Sequence, residues 1–370
     1  MRALVFEGPG RLSLGEVARP EPGKGEVLIR VHAAAICGTD VRIVSGRKTR
    51  DVRVGHPIGH ECAGTVTGVG PGVEGYSPGD RVAVCVVVSC GACEYCWADK
   101  ENLCDTRITL GYHTDGAFAE YMLIPARAVR RGNLFRLPDE IPMATATLLE
   151  PMACCINGQH EMGLRERAVD SLVIFGAGPI GLLHLMLAKG RRSDGGTERQ
   201  REGWRGRGGE GEIGSGRPPS RRAETHVTVI EPGEQRRGLA QRFGADEVLD
   251  PQELRPSGQF DAAILAVGAP ELVNVALSAV RKGGRVNLFA GFDRNASAAI
   301  DPNLIHYHQL GVTGASESRR RDYAEAMSLV TRGVVDPSVL ITHRFRLENH
   351  EEAFRIAGDG SALKVVFEID

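Results

Sequence analysis

The sequence contains no apolar run approaching the roughly 18 residues a membrane helix needs. Its first residues, MRALVFEGPGRLSL, carry no signal-peptide core, because the short apolar stretch runs into Glu7, Gly8 and Pro9. A charge excess is absent too. Lys and Arg number 45 against 47 Asp and Glu, a net −2 with histidine neutral, so bulk charge offers nothing to nucleic acid or an anionic membrane. Cysteine is not present in pairs: nine is an odd number, and five (Cys37, Cys62, Cys85, Cys154, Cys155) lie outside the one tight cluster. A reducing, cytoplasmic setting fits that pattern. What remains is a globular composition, 42% hydrophobic and 25% charged over 370 residues, with length for two domains.

The tight cluster is SCGACEYCWADKENLC, in which Cys90, Cys93, Cys96 and Cys104 follow the spacing C-x2-C-x2-C-x7-C. Four thiolates so close in sequence can close a tetrahedron around one zinc ion, leaving no position for water. The alternative, a set of buried or redox cysteines, accounts poorly for so regular a spacing.

Residues 1–145 read as mostly β. Strand-like runs at Glu26–Val31 and Arg81–Val88 alternate with Gly/Pro turns. The character changes after Pro142: a helix is predicted over Ala144–Met162, then a short apolar strand at Ser171–Phe175 and a helix at Ile180–Ala188. Strand and helix signals go on alternating to Phe289, the pattern of a parallel α/β sheet. Residues 190–222 break this order, with ten Gly and nine Arg against five acids and only Trp204 and Ile213 as large apolar residues. Such a composition cannot offset chain entropy by burial, so the segment reads as a disordered insert. A basic arm for an acidic partner or nucleic acid is the alternative to an inert linker.

A second metal constellation is scattered. His60 and Glu61 are adjacent in GHPIGHECAG, Cys37 lies upstream in ICGTD, and Glu150 lies far downstream in LLEPMACC. Thiolate, imidazole and carboxylate are all zinc ligands, and a catalytic zinc keeps an exchangeable position. None of these residues is specific alone. Their order, followed by a four-Cys lobe and a nucleotide fingerprint, is specific.

That fingerprint is Gly176-x-Gly178-Pro179-Ile180-Gly181, directly after a strand and opening a helix, where glycines permit close approach to a pyrophosphate. A ribose-binding acid belongs about 20 residues further on. Only removal of the insert restores that spacing, and it selects Glu231 at the end of THVTVIEP. A carboxylate there favours NAD and repels the 2′-phosphate of NADP. Arg236 and Arg237, close behind, pull the other way, lie along the adenine or simply face solvent.

Taken in order, Cys37-Gly-Thr-Asp40, Gly59-His-Glu61, Gly79-Asp-Arg-Val82, the four-Cys lobe, Asp115-Gly-Ala-Phe-Ala-Glu-Tyr121, Glu150-Pro151 and Gly176–Gly181 resemble the zinc-dependent medium-chain dehydrogenases, near their sorbitol (polyol) and threonine branch. The resemblance covers the chain apart from 190–222. It implies a GroES-like, mostly β catalytic domain (1–148 and 297–370, with a structural zinc lobe at 89–105) and a Rossmann NAD-binding domain (149–296) interrupted by the insert. It further implies two zincs per subunit and a homodimer or homotetramer. Cys37, His60 and Glu61 would hold the catalytic zinc, with Glu150 a direct or exchangeable fourth ligand. Thr39 would start a proton relay, Asp40 would orient His60, and Val267-Gly268 and Phe289-Ala290 would line the nicotinamide. The implied reaction is hydride transfer between a polyol- or cyclitol-like secondary alcohol and NAD. An amino alcohol or a sugar phosphate is the second expectation, and a zinc-containing binding protein without catalysis the third. One departure counts against threonine: Arg42 stands where the branch commonly has histidine, five residues after the ligand cysteine. Arg42 and His113 are further candidate substrate contacts.

Overall fold

A computed structural model of the chain describes residues 1–166, 169–190, 225–293 and 295–370. The insert expected at 190–222 falls, from residue 191 on, outside the described residues.

The β-rich part centres on the strand Val27–Ala35, VLIRVHAAA, whose side chains are buried on both faces over most of its length. It lies fourth in a sheet ordered Leu134–Arg136, Arg81–Val84, Glu61–Val69, Val27–Ala35, Lys364–Glu368, Ile341–Phe345, and it also pairs with Tyr121–Ile124. The first and last parts of the chain thus share one sheet, with Val366 opposite Ala35. Phe118 and Phe367 meet edge to face in its core, centroids 5.3 Å apart.

The second sheet has six strands, all parallel. Its order is Glu247–Leu249, His226–Ile230, Ser171–Phe175, Phe260–Leu265, Val280–Leu288, Gly311–Gly314. In sequence terms that order is 3-2-1-4-5-6, the doubly wound Rossmann arrangement, and its switch point falls where the Gly176 turn leaves the first strand. The strands follow the short Val/Ile/Leu/Ala runs of the sequence, as expected for strands covered on both faces. The helix Pro179–Gly190 crosses between the first two of them.

Three expectations are corrected. The boundary at 297 is too early: the helix Pro302–His308 and the strand Gly311–Gly314 come after it, and that strand completes the nucleotide sheet by pairing with Val280–Leu288. GVTG is too short and glycine-rich to announce itself as a strand. The helix expected over Ala144–Met162 is two, Met143–Ala146 and Leu149–Glu161. Pro151 lacks an N–H and its ring crowds the carbonyl four residues back, so it is accommodated only in the first turn of a new helix. The run Arg81–Val88 divides into Arg81–Val84 and Val87–Val88. Buried Asn133 causes the division, since its side-chain amide donates to the carbonyls of both Cys85 and Val87 at 2.7 Å. No helix among the described residues is long and apolar enough to cross a membrane.

Candidate active site

Pairing of Ala35 with Glu61 across two strands brings the ends of ICG and GHE together. Cys37 caps the helix Gly38–Val44, and its backbone N–H donates to Asp40 Oδ2 at 2.9 Å. The other oxygen of Asp40 stands 3.3 Å from His60 Nδ1, an ion-pair distance without the alignment of a hydrogen bond. One buried carboxylate therefore fixes the surroundings of two candidate ligands. Gly59 enforces the approach from the other side: its φ is +100°, and a Cβ there would lie 2.6 Å from the Phe118 ring.

The ligand atoms of Cys37, His60 and Glu61 all lie within 4.8 Å of one another. Glu61 is fully buried, and Lys364 Nζ binds one of its oxygens while also donating to Ile36 O at 3.1 Å. The other oxygen, Oε1, has no hydrogen-bond partner among the described residues. A buried, unsatisfied carboxylate oxygen beside a thiol and an imidazole fits a zinc ion. Glu150 is not within that distance of all three. It sits in the first turn of Leu149–Glu161 and lines the same cleft, and Cys154 Sγ donates to its Oε1 at 3.5 Å. Burial pushes its carboxyl up to about 7, with His60 opposing and Glu61 adding to the rise.

Thr39 and Arg42 also line the cleft. Arg42 reaches across it to Phe292 O at 3.3 Å and Asp293 Oδ1 at 3.5 Å, on the loop after Val280–Leu288. His113 is not a cleft residue: its Nδ1 takes the Thr109 N–H at 3.0 Å inside a turn. Its neighbour Tyr112 lines the cleft instead, with its hydroxyl 3.4 Å from His60 Nε2. Neither Tyr112 nor Lys364 carries a local sequence signal.

The four cysteines of the lobe form a second group with all sulfurs within 4.8 Å. The backbone N–H groups of Gly91 and Ala92 point at Cys96 Sγ and Cys90 Sγ, each at 3.3 Å, as suits thiolates. The Ala92 N–H is the chief reason the Cys90 thiol is lowered to about 6. The lobe is anchored where the chain leaves the nucleotide sheet: Asn102 Nδ2 donates to Ser316 O at 3.0 Å, and Glu101 takes the Arg320 N–H at 2.7 Å.

On the opposite wall, Gly176 has φ +99°, and a Cβ on Gly181 would stand 1.9 Å from Gly176 O. Only glycines permit this turn, which opens the helix Pro179–Gly190 with its unpaired N–H groups facing outward. Gly178 has open space around it, and Gly268 packs on Gly291 O, 2.5 Å from where a Cβ would be. Val267 stands beside Gly176 and is partly exposed. Glu231 is buried beside the turn. Arg236 turns away from it, donating to Gly360 O at 2.7 Å. Arg237 is held by Glu231 O at 2.9 Å and Asp250 Oδ2 at 3.1 Å. A cleft of about 1020 Å³ joins the walls, with Cys37, His60 and Glu150 on one side and Ile180, Phe289 and Ala290 on the other.

Residues 23–138 match the family model of the alcohol dehydrogenase GroES-like domain, and residues 221–332 that of the zinc-binding dehydrogenases. An L-threonine 3-dehydrogenase of Pyrococcus furiosus is 34% identical over 367 residues, covering 96% of this chain and 94% of that one. Among solved structures, an Escherichia coli alcohol dehydrogenase complexed with NADH is 25% identical with a TM-score of 0.83, covering 100% of this chain and 99% of that one. A zinc-binding dehydrogenase from Sinorhizobium meliloti bound to NADP is 27% identical, also at 0.83, covering 99% and 98%. Likeness at this level, running along nearly the whole of both chains, settles the lineage: this protein belongs to the zinc-dependent medium-chain alcohol dehydrogenase family of oxidoreductases.

Proposed function

We propose that the protein oxidises a secondary alcohol with NAD as hydride acceptor. The observation that carries this reading is the Cys37–His60–Glu61 trio, which shares one cleft with Ile180, beside the glycine turn, and with Phe289-Ala290. The trio would hold a zinc ion supplying Lewis acidity toward the alcohol oxygen, and the opposite wall a nicotinamide that would accept hydride. The chain's own part is positional. Asp40 holds Cys37 and His60 in place, Lys364 balances Glu61, and Thr39 carries the hydroxyl proton outward. Arg42 ties the two walls together through Asp293, so it does not replace the missing relay histidine. Glu150 lines the same wall, with Cys154 Sγ on its Oε1, and is a direct or exchangeable neighbour of the metal.

Glu231 supports NAD over NADP. A polyol- or cyclitol-like substrate is the expectation from sequence. The relatives named L-threonine 3-dehydrogenase support an amino alcohol beside it. The four-Cys lobe supports a second, structural zinc in each subunit. Free cysteines throughout support a reducing, cytoplasmic setting. The Gly311–Gly314 strand lies at the sheet edge with Val312 partly exposed, which supports a homodimer or homotetramer.

A panel of polyols, cyclitols, threonine and sugar phosphates, assayed with NAD and with NADP by nicotinamide absorbance, tests the reading. Absence of NAD(H) binding would sink the enzyme reading in favour of a binding protein. Glu150→Ala should lower turnover by about tenfold or more while zinc content, measured by plasma mass spectrometry, stays near wild type. Unchanged kinetics would remove Glu150 from the mechanism.

A further inference from the structure

The cleft wall carries a cation that alcohol oxidation leaves unused. Of its basic side chains, Arg42 is engaged by Phe292 O and Asp293, and Lys100 by Glu161 Oε2 at 3.9 Å. Lys48 has no carboxylate oxygen within 4.0 Å among the described residues. Its ammonium donates to Arg50 O at 3.3 Å and lies 5.0 Å from the centroid of the Tyr112 ring. The acids nearby are taken: Glu317 binds Arg107 Nε at 2.6 Å and Thr109 Oγ1 at 3.3 Å, and Asp51 pairs with Arg50 at 3.5 Å.

Position gives this cation a use. The Tyr112 ring, under the Lys48 ammonium, is also packed on the His60 ring at 5.0 Å. Lys48, Tyr112 and the metal trio therefore form one continuous strip of cleft wall. A molecule with its hydroxyl at the trio would lie along the face of Tyr112 and end at Lys48. Lys48 is half-buried, and burial lowers its pKa, the sign of an ammonium partly withdrawn from water without full compensation. A charge in that condition gains most from an incoming anion.

We propose that Lys48 is the anchor for an anionic group on the substrate, so that the alcohol oxidised bears a carboxylate or a phosphate as well as its secondary hydroxyl. The inference rests on the proposed function for the place of the hydroxyl. It adds the charge of the far end, which a neutral polyol lacks.

Binding is measured on the zinc-loaded full chain with NADH present, where no hydride transfer can occur, and turnover separately with NAD. Calorimetric titration compares L-threonine with threoninol and glucitol 6-phosphate with glucitol, for wild type, Lys48→Met and Lys48→Arg. At least one anionic probe is expected to bind about tenfold or more tighter than its neutral counterpart. Lys48→Met removes that difference, Lys48→Arg keeps most of it, and NADH affinity is unchanged in both. Threonine showing the difference names a carboxylate, and glucitol 6-phosphate a phosphate. No binding of either anion, equal affinities within each pair, or a preference that survives Lys48→Met overturns the anchor. Loss of all dehydrogenation counts against the proposed function and leaves the binding comparison standing. Oxidation of neutral alcohols without any preference for anions keeps that function and removes Lys48 from it.

Discussion

One oxygen of the Glu231 carboxylate takes the Ala177 N–H at 2.8 Å, and the other takes the Gly233 N–H at 3.0 Å. The acid is thereby pinned against the glycine turn. Each oxygen keeps a further lone pair for a ribose hydroxyl, whereas a 2′-phosphate would meet a buried anion. Glu231→Ser should weaken NADH binding by about tenfold or more and narrow the gap to NADPH. Fluorescence titration of both nucleotides checks this, and an unchanged ratio would remove Glu231 from ribose recognition.

His184 makes an acid-stability prediction. It is fully buried on the helix Pro179–Gly190, edge-on to Phe289 at 4.5 Å, with neither ring nitrogen hydrogen-bonded among the described residues. Burial lowers its pKa from 6.5 to about 3. The unfolded chain therefore binds the extra proton between those values. The stability His184 permits is complete above pH 6.5 and declines as the pH falls, by up to about 1.4 kcal/mol per pH unit. His184→Leu should flatten the fall of Tm between pH 6.5 and about 4, measured by calorimetry. Parallel profiles would mean that the histidine finds a way to charge in the folded state.

The segment from 191 to 224 leaves from the end of one helix and rejoins at the start of a strand. Its flanks are tied together, since Lys189 Nζ donates to Thr225 O at 3.1 Å. Both flanks lie at the amino ends of the parallel strands, away from the carboxyl ends where ligands bind. Loop closure costs only about 0.6 kcal/mol for each doubling of length. Deleting 191–222 should therefore leave NADH affinity within about twofold, as read by titration. A large loss would mean that the segment is structural.

What could be read beforehand was whatever the chemistry compresses into short spacing. The four cysteines, Gly176–Gly181 and His60-Glu61 announce themselves because their geometry is local. Glu231 was legible only once the intervening Gly/Arg stretch was set aside. Residues that act across the fold were not legible. Lys364 lies in SALKVVFEID with nothing to mark it as Glu61's partner, and Asn133 interrupts a strand some 48 residues away from it in sequence. Tyr112 lines the cleft where its neighbour His113, a candidate contact, does not, because one step along a turn reverses the direction of a side chain and no periodicity constrains a turn.

The ion pair between Glu61 and Lys364 has a consequence for how the protein is made. The two residues are separated by 303 positions. At about 5–20 residues per second, synthesis takes roughly 15–60 s to travel from one to the other. Cys37, His60 and Glu61 all emerge early, and during that interval Glu61 has no strand beside it to supply the ammonium. A nascent chain thus displays Cys37, His60 and Glu61 well before Lys364 can balance the Glu61 carboxylate. The candidate site is complete only after the Lys364–Glu368 strand has joined the sheet.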